Sequence, residues 1–184
     1  MTYLEMKRKV LSLMEEISEV KEGSTEDPDI ETKLPYVTNQ IMYELARIKK
    51  IPAYYEKEVK AGDVMLFEAF ETETSNKIYQ IEVVEGLDAD VRGKRITFNE
   101  DGLAKIYYYK YPERIDEKTI PTYEFELDDD VLEIMPYGIV ADLLKSDVSS
   151  GYGQIYANRY RELLQGLDPR DTVHNAVVVG GYDV

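Results

Sequence analysis

Apolar positions near the start of the chain recur every three or four residues: Tyr3, Met6, Val10, Leu13, Ile17 and Val20. Leu4, Leu11 and Met14 widen the stripe. That spacing predicts an amphipathic helix with Thr2 as N-cap, fading near Gly23. Residues 22–31 are acidic and turn-rich and read as a solvated loop. Asp27-Pro28 then supplies an N-cap and first-turn pair. The second stripe is Ile30, Leu34, Val37, Ile41, Leu45 and Ile48, with Pro35 inside it as an expected kink or restart. Lys49 and Lys50 complement the helix dipole, and Pro52 closes the segment.

The period then changes from three or four to two. Residues 64–71 read as a strand, as do 78–84, 92–98, 106–111 and 123–127. Gly62, Gly86, Gly93, the turn at 99–102, Pro112 and Pro121 punctuate them. Helical spacing returns with Val131, Leu132, Met135, Ile139 and Leu143, preceded by Asp128, Asp129 and Asp130 as a cap and first-turn charge. Pro136 is expected to break or kink that start. Residues 146–153 read as a loop. A last helix puts Tyr152, Ile155, Tyr156, Tyr160, Leu163 and Leu167 on one side, and Asp168-Pro169 ends it. Beyond it, 170–184 reads as an extended tail with Val177, Val178, Val179 and Tyr182 as its apolar part.

Helices, then strands, then helices predict an α+β fold. The expected form is a helical bundle from the N- and C-terminal helices (1–52 and 128–169). An antiparallel β-sheet or small β-sandwich is inserted at 53–127. Three consecutive pieces are the competing arrangement. Insertion is favoured because neither helical half is large enough to bury its faces alone.

Composition narrows the function. The 184 residues carry 22 Lys and Arg against 37 Asp and Glu, a formal charge of -15. A nonspecific nucleic-acid binder needs a basic face, so that class is disfavoured. With no cysteine, thiolate zinc sites, iron–sulfur clusters, disulfides and a cysteine nucleophile are excluded. One histidine excludes a multi-histidine metal site within one chain. No apolar run is long enough for a membrane span, and the first residues lack a secretory pattern. A soluble protein made in a cytoplasm, with no cofactor, is therefore expected. There are 16 tyrosines and no tryptophan. Tyrosine pairs a large apolar ring with a polar tip, which suits surfaces covered in an assembly as well as a core rim.

Individual motifs are weak. His174 reads as a surface histidine. The Ser149-Ser150-Gly151 stretch lacks the Gly-x-Ser-x-Gly arrangement of a nucleophile elbow and reads as a link between helices. Asp88-x-Asp90 with Gly93 fails as a calcium loop, because Arg92 stands at the fifth position, where an oxygen ligand is needed, and Asn99 at the twelfth, where a bidentate glutamate is needed. Asp128, Asp129 and Asp130 fit a helix cap better than a cation site. With 37 acidic residues, any carboxylate pair is uninformative. Tyr107, Tyr108, Tyr109 and Tyr111 form the densest aromatic run. Alternation puts tyrosine on both sides of that strand, so both faces are expected to be covered.

Three stretches together resemble the head–tail adaptor (connector, or neck) proteins of long-tailed bacteriophages. They are Asp-Pro-Asp-Ile-Glu-Thr-Lys-Leu at 27–34 running into the helix at 38–51, Lys-Ile-Tyr-Tyr-Tyr-Lys-Tyr-Pro at 105–112, and the acidic cap and Pro-Tyr of 128–144 followed by Tyr-Ala-Asn-Arg-Tyr-Arg-Glu-Leu-Leu at 156–164. The resemblance implies a non-enzymatic virion protein. It implies a homo-oligomeric ring of about twelve copies, a dodecamer, between the portal protein and a neighbouring neck or tail-terminator protein. DNA would pass through the lumen without specific binding, and no membrane is involved. By the same resemblance Val177, Val178, Val179 and Tyr182 would dock on a neighbour by strand addition. Tyr107, Tyr109 and Tyr111 are the remaining candidate interface residues. The smallest members are nearly all helical, so the β insertion is a departure. The alternatives are a small carboxylate-dependent glycoside hydrolase and a β module binding sugars through 107–111.

Overall fold

The computed structural model describes residues 1–14, 28–146 and 151–167. Helix α1 (Tyr3–Leu13) starts on a capping box. Glu5 N–H donates to Thr2 Oγ1 at 3.2 Å, and Thr2 N–H donates to Glu5 Oε2 at 2.7 Å. Two free donors of the first turn are thereby satisfied. Ile17 and Val20 of the expected continuation, and Asp27, lie outside the described residues. Helix α2 (Pro28–Ile48) runs through Pro35 as one element, without the restart its position suggested. Pro35 is buried, so its packing offsets the backbone hydrogen bond it cannot donate.

Strand β1 (Ile51–Val59) follows α2 after two residues only, and includes Pro52. An edge strand tolerates proline because one side of its backbone has no ladder to join. The other elements are β2 (Val64–Leu66), helix α3 (Phe67–Thr74), β3 (Ile78–Glu85), β4 (Ala89–Arg92), β5 (Arg95–Phe98), β6 (Gly102–Lys110), helix α4 (Asp129–Leu143) with a 3-10 turn at Leu144–Ser146, and helix α5 (Tyr152–Gln165). They make a mixed α+β fold with two antiparallel sheets, ordered β1-β6-β3 and β2-β5-β4.

Three strand expectations are corrected. The stretch at 64–71 is a strand only to Leu66. From Phe67 it is helical, because the helix formers between Phe67 and Phe70 let one turn seat Phe70 in the core at 0 % exposure. The expected strand 92–98 is a hairpin. Gly93 at φ +61° opens a two-residue turn, and Arg92 sits opposite Arg95. The expected strand 123–127 is no strand, and only Glu124 forms an isolated bridge, with Thr2. Phe125 and Leu127 instead point into the core beside the helices.

Two clusters of buried side chains result. In one, α1, α2, α4 and α5 share their stripes through Met6, Val10, Ile41, Leu45, Met135 and Tyr160. The other fills the space between the two sheets and α3, around Phe70, Ile96, Ile106 and Tyr108. Phe70 meets Tyr55 and Tyr108 edge-on at 5.3 and 5.0 Å. Asn39 of α2 fastens the return segment: its Nδ2 donates to the Ile115 carbonyl at 2.7 Å and its Oδ1 accepts from Ile115 N–H at 3.0 Å.

Helix α4 also runs unbroken through Pro136. Asp128 occupies its N-cap without the side-chain capping bond, so the first-turn charges of Asp129 and Asp130 remain. Gly138 lets α5 approach: a Cβ there would lie 2.9 Å from a ring carbon of Tyr160. Helix α5 ends at Gly166, before Asp168-Pro169. Tyr152 and Ile155, expected on its packed side, are 54 % and 60 % exposed. The described helix begins with them and turns its later residues, Tyr160 among them, onto α4.

Candidate functional site

The central strand β6 decides where the tyrosines go. Its alternation sends Ala104, Ile106 and Tyr108 to the inner core and Tyr107 and Tyr109 to the outer face, and Tyr111 continues the outer series one residue past the strand. Both sides of the strand are covered near its C-terminal end: Tyr108 is 1 % and Tyr109 2 % exposed. Tyr107 and Tyr111 are half-buried.

These outer tyrosines belong to a longer lane. Tyr54 packs on Tyr107 with ring centres 4.9 Å apart. The Lys50 ammonium stands 5.0 Å from the Tyr109 ring centre and 5.9 Å from that of Tyr79. Tyr79 meets Tyr111 edge-on at 5.3 Å, Tyr111 stacks on Tyr43 at 5.2 Å, and Arg114 lies 5.4 Å from the Tyr43 ring centre. Cations over aromatic faces and offset ring pairs each hold a surface in one geometry. The Tyr109 hydroxyl donates to Glu82 at 2.7 Å. Tyr54 donates to Glu56, and that bond, with smaller desolvation and charge effects, pushes its pKa up to about 12.

Two clefts flank Tyr43 and Arg114. One, about 580 Å³, runs along α2 past Tyr36, Gln40 and Arg47. The other, about 440 Å³, opens between Asn76, Lys77, Lys110 and Glu126. On the reverse of the first sheet, Glu73 accepts from Lys57 at 2.6 and 2.8 Å and from the Tyr55 hydroxyl at 2.9 Å. The Lys57 bond first, then that of Tyr55, holds the Glu73 carboxyl below its ordinary range. Glu5 is also held down, by the capping bonds of Thr2. Both shifts run opposite to what a general acid requires.

The structure thus gathers Tyr107, Tyr109 and Tyr111 on one face. Val177, Val178, Val179 and Tyr182 lie outside the described residues, as does His174. Three of the aspartates singled out by motif are taken up by neighbouring side chains. Asp88 accepts from Asn99 Nδ2 at 2.8 Å, Asp90 pairs with Arg92 at 2.7 Å, and Asp130 pairs with Lys49 at 3.1 Å. Among the described residues no cluster of three or more His, Cys, Asp or Glu could hold a metal ion, and no helix is long and apolar enough to cross a membrane.

Sequence reasoning missed the rest of the lane, Tyr43, Tyr54, Tyr79, Lys50 and Arg114. The signal for Tyr54 was present in Ile-Pro-Ala-Tyr-Tyr-Glu-Lys-Glu-Val, which alternates once Pro52 is allowed on an edge. Sequence reasoning also missed the exposed pair Val64 and Leu66, 54 % and 53 % accessible on β2. No protein-family model matches the chain, and no curated protein matches it.

Proposed function

We propose that the chain is a structural adaptor, working as one copy of a ring in the neck of a long-tailed bacteriophage. In this reading its two helical flanks form one bundle, and the β unit is an insertion that projects to a neighbour. The observation that carries it is the placement of large apolar side chains in water. Val64 and Leu66 share one side of β2, and Tyr152 and Ile155 share one side of the first turn of α5, all more than half exposed. Scattered exposed apolar residues are ordinary, but neighbours on one side of an element mark surfaces meant to be covered. Covering each half-exposed Val or Leu contributes about 1 kcal/mol. The tyrosine lane stiffens a further outer face, of the residue type enriched where proteins meet.

The acidity fits the same role. A lumen lined with carboxylates repels phosphates and lets DNA slide. At physiological salt only groups within about 8–10 Å of the duplex contribute. The passage for DNA, the portal on one side and a further neck or tail-terminator protein on the other follow from the resemblance. The sugar-platform alternative loses support, because Tyr108 and Tyr109 are buried and Tyr111 lies between the rings of Tyr43 and Tyr79.

The test is composition and shape. Mass spectrometry of purified virions is expected to find the chain in copy number comparable to the portal, and negative-stain images of chain bound to portal to show a ring. A chain that is absent from virions and stays monomeric beside portal refutes the proposal.

A further inference from the structure

The β unit carries two outer faces of opposite sign. In the sheet β2-β5-β4, the register sets Val64, Thr97 and Asp90 in one row and Leu66, Arg95 and Arg92 in the next. The reverse side is core, with Met65 at 5 % and Ile96 at 0 % exposure. The outer side therefore presents two half-exposed aliphatic side chains beside two arginines, and the adjoining turn adds Lys94. Arg92 pairs with Asp90 at 2.7 Å. Lys94 and Arg95 make no ion pair within 4 Å among the described residues. In a chain of net charge -15, three cations within four residues form a local basic, apolar patch.

The outer face of β1-β6-β3 has the reverse character. Glu56 and Glu85 stand on either side of Lys105, with Glu58 further along β1 opposite Leu103. Tyr54 and Leu103 are 47 % and 42 % exposed there. Both outer faces point away from the core that the two sheets share, so the chain cannot close one upon the other.

We propose that these faces are the two halves of a head-to-tail contact between copies of this chain: the basic, aliphatic face of β2-β5-β4 in one copy seats on the acidic, aromatic face of β1-β6-β3 in the next. The occupant is a second copy because one molecule presents both halves, complementary in charge and each with exposed apolar side chains beside its charges: Val64 and Leu66 on the edge strand β2, and Tyr54 and Leu103 on β1 and β6. Two different patches make the contact heterologous, the kind that closes into a ring when its rotation allows. The overall charge opposes association of identical acidic chains, so the local basic patch is the element that sets where and in which direction they meet. Each face is only three strands wide, about 10 Å between its outer strands. A single contact is therefore weak beside interfaces that bury about 800 Å² per partner, and closure of the ring reinforces it. The inference deepens the ring reading and rests on it for the ring, but the contact itself is testable alone.

Sedimentation velocity of the full chain over a concentration series, at physiological salt, tests it by exchange of charge. Arg92→Glu with Arg95→Glu, and separately Glu58→Arg with Glu85→Arg, are each expected to weaken self-association about tenfold or more. Mixing the two variants is expected to restore it, since each then carries the face the other needs. All four positions are exposed, and unchanged circular dichroism confirms folding. Val64→Ser with Leu66→Ser, which removes the aliphatic side chains and leaves both sets of charges unchanged, is expected to weaken association as well. Wild-type chain that remains monomeric throughout overturns the proposal, as does association that the variants leave intact or a mixture that stays dissociated. If virions hold a ring that survives the exchanges, this contact fails and the adaptor reading stands. If the exchanges behave as expected but virions lack the chain, the adaptor reading fails and the contact stands.

Discussion

Replacing Gly138 by alanine probes the closest approach of α4 and α5. The added methyl would lie 2.9 and 3.0 Å from Tyr160 ring carbons and 3.1 Å from Ile41 Cγ2. All three atoms belong to side chains in the helical core, Tyr160 at 7 % and Ile41 at 4 % exposure. Forcing a methylene-sized group into such a site costs about 1–3 kcal/mol. Alanine recovers up to about 1 kcal/mol of helix propensity relative to glycine. With the middle of the first range and the full propensity gain, the net loss is about 1 kcal/mol. For a chain of this size that lowers the melting temperature by about 2–4 °C. Urea titration followed by far-ultraviolet circular dichroism measures it, with the loss expected in the midpoint and not in the slope. A variant as stable as the wild type, or more so, refutes the claim that the α4–α5 spacing is set by contact at this residue.

Asn39→Asp keeps the acceptor for Ile115 N–H but sets a carboxylate against the Ile115 carbonyl, so a loss of about 1–3 kcal/mol is expected by urea titration; an unmoved midpoint contradicts the clamp. Glu73 has a depressed folded-state pKa, so its contribution is present above the ordinary carboxylate value of 4.5 and is lost as pH falls through the lower folded value. Glu73→Gln is thus expected to flatten the fall in melting temperature on acidification below 4.5; parallel wild-type and variant profiles refute the assignment.

The helices were legible because their stripes are long and periodic. Thr2 was readable as a cap because a hydroxyl precedes the first apolar turn. The prolines misled in one direction: Pro35 and Pro136 are both buried within continuous helices, where tertiary packing outweighs one missing hydrogen bond. Pro52 misled in the other, since its reading as a stop hid β1, and with it Tyr54 and an entire edge of the first sheet. The stretch after Val64 satisfies both periods, and only the place of Phe70 in the core selects helix. The shared face of Tyr107, Tyr109 and Tyr111 follows from period two. Their companions Tyr43, Lys50 and Arg114 come from distant parts of the chain, so no local pattern announces them. The opposite charge of the two outer sheet faces depends on cross-strand register, which strand propensity does not supply.

The passage from α2 to β1 has a mechanical consequence. Only Lys49 and Lys50 separate the last turn of the helix from the first strand, and Asn39 holds the returning chain to the same helix. Two short tethers on one shaft leave little room for swivel. A push or twist delivered to the strands would travel down the helix as leverage, so a neighbour gripping the β unit could feel, and be felt by, whatever holds the helices.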